Sequence, residues 1–200
     1  MAIAQSRSAS ETRPQDSLLG AAGIAVAGGS FVGALIAVVT STAFPGLADP
    51  TNRLPWLTGG AVLSLIHLVV LAGVFVMAAT GAVRKGAFKY VAFAVALAGL
   101  TAQLGGEAVI RFSFEAGNVL FSIAMPLLGI GMILVGIGVL ITGRWTGWRA
   151  YAPLACGLYI PVVLVPAFAI THGPSFPALA GFGLVYVALG LAMRSEAVQA

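Results

Sequence analysis

Long apolar runs recur along the chain, separated by short polar segments. A helix that crosses the hydrocarbon core of a bilayer needs about 20 mainly apolar residues. Six such runs are present, over 18–44, 57–82, 87–110, 119–142, 150–171 and 176–193. Strict apolar–polar alternation is absent, so the runs predict helices rather than barrel strands. The pattern divides the chain into a polar tail (1–17), a transmembrane domain (18–194) and a short second tail (195–200). Arg7 and Arg13 ahead of an apolar run resemble a signal peptide. The run is longer than the roughly 7–15 residues of a signal core, which predicts an uncleaved first helix.

Composition sharpens this reading. Of 200 residues, 60% are hydrophobic and 8% charged, and the mean hydropathy is +1.03. A soluble domain carries about 25% charged residues, so the apolar excess must face lipid. The predicted fold class is all-α, a polytopic bundle of six transmembrane helices in a bacterial-type cytoplasmic membrane, with the bilayer as its first partner. Eight of the ten Lys and Arg residues fall on one side (Arg7, Arg13, Arg84, Lys85, Lys89, Arg144, Arg149 and Arg194), against Arg53 and Arg111 on the other. The positive-inside rule then predicts both termini in the cytoplasm. Basic residues beside apolar spans orient a membrane protein and give no sign of nucleic-acid binding. Trp145, Trp148 and Tyr151 are expected at the inner interface and Trp56 at the outer. The single cysteine, Cys156, allows no intrachain disulfide and reads as a small apolar filler.

Glycines mark where helices approach closely. Gly29 and Gly33 form a GxxxG step in the first helix, Gly129, Gly131, Gly136 and Gly138 line the fourth, and Gly181 and Gly183 the sixth. Lipid supplies no hydrophobic drive for helix association, so such faces pack within the chain or join copies of it as a homo-oligomer. The two halves of the chain show no repeat of the inverted-transporter kind.

An ionisable group inside a membrane is a functional candidate by default. His67 is near the middle of the second helix, with Ser64 and Gly60 on the same stripe. In the third helix Gln103, Glu107 and Arg111 recur every four residues and share one face. Gln103 is expected at the depth of His67, Glu107 one turn higher and Arg111 at the rim. Thr40, Ser41, Thr42, Ser122, Tyr159, Pro126, Pro161, Pro166 and His172 join them on the outer side, and the inner half is nearly empty of polar groups. A conduit needs polar residues through both halves, so the one-sided pattern predicts an outward-opening pocket rather than a channel. Phe31, Phe44, Phe112, Phe121 and Phe168 supply an apolar wall. The same His–Gln–Glu cluster also fits a hydrogen-bonded staple between two helices.

Metal hydrolysis and haem ligation fit poorly, because the only two histidines are expected at different depths. No cofactor or metal is predicted. Ser64, His67 and Glu107 could form a hydrolytic relay, but no nucleophile elbow accompanies them. Proton transfer fits best among the enzymatic readings. A carboxyl in apolar surroundings holds its proton and can serve as a general acid, and Glu107 is the only carboxylate clearly inside a span. Arg111 would oppose this unless it points outward or binds substrate.

Two resemblances enter here. Trp56-Leu-Thr, Ile66-His67-Leu68 and Gly105-Gly106-Glu107 resemble small six-helix membrane proteins common in actinobacteria, which mostly lack an assigned activity. More remotely, the size and the single carboxyl in an apolar pocket resemble integral-membrane terpene cyclases, which protonate an alkene or epoxide with membrane-embedded acids. That likeness implies Glu107 as proton donor and Glu115 or Asp49 as a second acid, although the helix count departs from the fungal members. The leading expectation is a membrane enzyme for an apolar, terpenoid-like substrate. Glu107 and His67 are its catalytic residues, with Gln103, Arg111, Ser64, Tyr159, Phe112 and Phe121 binding substrate. A small proton-coupled permease and a non-catalytic accessory subunit are the alternatives.

Overall fold

The computed structural model describes residues 14–43, 51, 53–171 and 175–199, the side chains of 53–56 excepted. Arg7, Arg13, Phe44, Asp49, His172 and the side chains of Arg53 and Trp56 therefore lie outside the described residues. The chain is all-helical there: α1 (Pro14–Thr42), α2 (Arg53–Ala79), α3 (Ala87–Val109) and α4 (Phe114–Thr142), then a composite fifth span, then α7 (Phe176–Gln199). The fifth span opens as a 3-10 turn (Gly147–Tyr151). It continues as α5 (Ala152–Tyr159), widens into a π turn (Ile160–Leu164) and ends as α6 (Val165–Thr171). Six helical segments are long and apolar enough to cross a membrane, and the protein is an integral membrane protein on that basis.

Several boundaries differ from the sequence expectation. α1 is described from Pro14 and so already includes 14–17, expected as part of a polar tail. The stretch Arg111–Asn118, expected as an outer loop, is mostly helix. Ser113 caps α4 by accepting from Ala116 N–H, and Glu115 lies in the first turn, where an acid is favourable. α7 runs on to Gln199 rather than ending before a polar tail. In the fifth span Pro161 cannot donate to the regular ladder. The backbone widens there, and Ile160 C=O accepts from Val165 N–H, five residues on.

The spans form a ring in the order α1, α2, α3, α4, the fifth span and α7, closing back on α1. α1 with α7 and α3 with α4 are the extensive pairs, while the α2–α3 and α5–α7 seams are thin. All neighbours run antiparallel, and Asp16 and Gln199 line the same recess, so both described ends lie at one end of the bundle. Met77, Met132, Met193, Leu100, Leu128 and Leu189 fill the middle of the ring.

The tight pairs depend on absent side chains. A Cβ on Gly23 would lie 2.5 Å from Gly190 O, and one on Gly136 would lie 2.5 Å from Leu154 Cα. Gly29 and Gly33, the expected GxxxG step, meet Val69 and Ile66 of α2 only at ordinary contact distance. The glycines of α4 face α3, α5 and the α2–α3 turn, and Gly181 and Gly183 face Tyr159 and α1. These faces pack inside the chain. Gly136→Val should lower stability by about 1–3 kcal/mol. Gly28→Val, where a Cβ meets nothing within 4 Å, should stay within about 0.5 kcal/mol of wild type. Thermal unfolding in detergent compares the two; equal losses would show that α4–α5 contact is not what Gly136 provides.

Candidate functional site

The polar face of α3 meets the polar stripe of α2 across the thinner seam. His67 Nδ1 contacts Glu107 Oε1. One turn farther from the termini, Arg111 Nη2 donates to Ser64 Oγ at 3.0 Å, and Ser64 Oγ donates to Gly60 O at 3.0 Å. Gly60 makes room for this. A Cβ there would lie 3.5 Å from Arg111 Nε, so the guanidinium lies over a bare stretch of α2. Register follows from these two bonds. His67 is level with Glu107, not with Gln103, which lies one turn deeper. Arg111 turns to α2, leaving Glu107 to His67.

The burial of this group assigns its parts. Gln103 and Glu107 are buried. Gln103 Oε1, Glu107 Oε2 and Arg111 Nε have no hydrogen-bond partner and almost no accessible surface. Glu107 is thus shut behind His67 rather than standing at the base of an open pocket. His67 keeps 18% side-chain exposure. Its Nε2 makes no hydrogen bond to a described residue and is not among the enclosed atoms. An imidazole with Nδ1 held by a carboxylate and Nε2 free can give or take a proton at Nε2. Ser64 Oγ is committed to Gly60 and Arg111, so no Ser64–His67 relay forms. Among the described residues no three His, Cys, Asp or Glu side chains gather as a metal would require.

The remaining predicted residues are dispersed. Phe121 packs its ring edge on Gly106, beside Glu107. Phe112 is 93% exposed at the α3–α4 turn and lines no interior surface. Tyr159 belongs to the α5–α7 seam across the ring, where its hydroxyl donates to Ala178 O at 3.0 Å and covers Gly181. Phe31 is half exposed on α1, and Glu115 is exposed.

Both ends of the bundle expose apolar side chains on their outer faces. Away from the termini, α2 exposes Ala61, Val62, Leu63 and Leu65, which lie on several faces of one turn, and α1 exposes Leu35, Val38 and Val39. The terminus-bearing end buries Leu19, Ala82, Val83, Trp145, Ala150 and Ala152. It also holds a feature that sequence reasoning missed. Arg149, read as an ordinary loop cation, is buried, with Nε 3.0 Å from Glu196 Oε1 and Nη2 donating to Thr146 Oγ1 at 2.6 Å. Beside it is a recess of about 280 Å³ bordered by Asp16, Thr80, Arg144, Trp145 and Gln199. The only signal was a Glu inside a stretch read as tail, opposite an Arg in a stretch read as loop.

Comparison with profiles of known families, with curated proteins and with solved structures finds no match to this chain. The seam therefore has to be read from its own chemistry. His67→Leu should cost about 1–3 kcal/mol, because it leaves a buried acceptor unpaired. The double variant with Glu107→Leu should recover most of that loss. Unfolding in mixed micelles reports both, and a double variant as unstable as the single one would mean the pair does not couple α2 to α3.

Proposed function

We propose that this chain exchanges protons with a lipid-soluble small molecule at the α2–α3 seam, as an acid–base isomerase or cyclase for a terpenoid-like substrate. The observation that carries this reading is His67, with Nδ1 tied to a buried carboxylate and Nε2 free. Glu107 fixes the tautomer with the proton on Nδ1 and stabilises the imidazolium that forms when Nε2 takes a second proton. Nε2 then returns a proton to the same molecule at another atom, so the cycle balances with no co-reactant. His67 is the catalytic residue and Glu107 its positioning residue. This reverses the roles expected from sequence, because the accessible atom belongs to the imidazole. Arg111, one turn farther from the termini, would meet an oxygen of the substrate. The basic residues of the terminus-bearing end support placing it in the cytoplasm, with the seam toward the outer leaflet.

The test is deuterium exchange from heavy water into prenylated phenols, epoxidised isoprenoids and polyprenols, using the protein in nanodiscs. Wild type should label at least one of them and His67→Gln none. Glu107→Gln should slow labelling about 10²–10⁴-fold and displace its pH profile. Labelling unchanged in a folded His67→Gln protein would sink the proposal, as would no labelling by wild type.

A second reading is favoured by the enclosure of Gln103 Oε1 and Glu107 Oε2: an accessory subunit in which the pair only ties two helices. It requires a stoichiometric membrane partner that stays bound under mild solubilisation.

A further inference from the structure

The turn between α2 and α3 has no place in that chemistry, yet it is firmly held. Ala82 and Val83 are buried, and Val83 and Phe88 both press on the space above Gly138 of α4. Arg84 N–H donates to Thr142 Oγ1 at 2.9 Å. Arg144 Nη1 donates to Gly81 O at 3.1 Å and Thr80 O at 3.4 Å. A loop that only sets topology during insertion has to carry charge, but it does not have to be pinned. This one is pinned, and it holds Arg84 and Lys85 exposed with Lys89 half-buried beside them. Phe88 and Tyr90, in the first turn of α3, are 44% and 69% exposed on its flank.

Among the described residues no acid pairs with this charge. The sequence has no Asp or Glu between Asp49 and Glu107. Of the described acids at this end, Glu196 is taken by Arg149, and Asp16 borders the recess beside Arg144. Three free cations on a rigid turn, next to exposed aromatic rings at the end of two membrane spans, fit phosphate headgroups with acyl chains below them.

We propose that Arg84, Lys85 and Lys89 form a docking surface for anionic phospholipid headgroups on the leaflet at the terminus-bearing end. Neutral lipids lack the net charge to answer it. A free phosphate would leave Phe88 and Tyr90 uncovered.

Native mass spectrometry of the full chain, released from nanodiscs of mixed phosphatidylglycerol and phosphatidylcholine, tests this. The wild type should retain phosphatidylglycerol preferentially. Each neutralised side chain should weaken retention about fivefold at low salt. Lys85→Gln gives the single step, and Arg84→Gln/Lys85→Gln/Lys89→Gln should weaken retention about a hundredfold. The thermal midpoint of each variant in pure phosphatidylcholine checks that the bundle is intact, and Lys85→Gln, fully on the surface, keeps the test open should the triple variant misfold. Equal retention of the two lipids, or an unchanged preference in Lys85→Gln, would overturn the proposal. Displacement of the lipid by inorganic phosphate alone would replace the leaflet with a soluble anion. None of these results depends on His67 or on turnover, so the proposal stands or falls apart from the proton-exchange reading.

Discussion

Lipid tails are as apolar as leucine, so nothing squeezes these helices together. What holds them is close backbone approach and hydrogen bonds made inside the membrane. The ring divides along that line. α1 with α7, and α3 with α4, approach through glycine and alanine, where a Cβ would run into the neighbouring backbone. The thin seams are bonded instead. His67–Glu107 and Arg111–Ser64 cross from α2 to α3. Tyr159 to Ala178 O and Cys156 to Val185 O cross from α5 to α7. The α2–α3 seam, the least extensive in the ring, is one of these bonded seams and holds the candidate site.

That placement explains why the site has two characters. As a bond between helices, the His67–Glu107 pair must stay paired, because a lone carboxylate in a bilayer is costly. As a bond at a thin seam, it leaves the imidazole partly exposed. The imidazole forms the boundary between the two, with one nitrogen turned to the buried carboxylate and the other left free. A carboxylate alone in the same place would have to be exposed to react, and the stabilising contact would then be lost.

The bundle is also asymmetric along its length. At the terminus-bearing end Arg144, on the surface, bonds the carbonyls that follow α2, and the buried Arg149 pairs with Glu196. Their charge holds connections together and leaves Arg84, Lys85 and Lys89 to face the surroundings. At the opposite end the helices expose several faces per turn.

The number of spans, the all-helical class and the candidate residues on α2 and α3 were legible in the sequence, because each depends on local quantities. A run of about 20 apolar residues must span, and a four-residue spacing must share a face. Relative depth was not legible. Glu107 rather than Gln103 stands level with His67, since the α2–α3 register is set by Arg111 lying over Gly60, a contact between residues far apart in the chain. The neighbours across the ring were hidden for the same reason. Tyr159 and Phe112 carried the right chemistry at the right distance along their helices, but one faces α7 and the other points outward. Arg149 and Glu196 looked like unrelated termini of two spans until the fold brought them together. Periodicity tells which residues share a face of their own helix, whereas only the packed ring decides what that face meets.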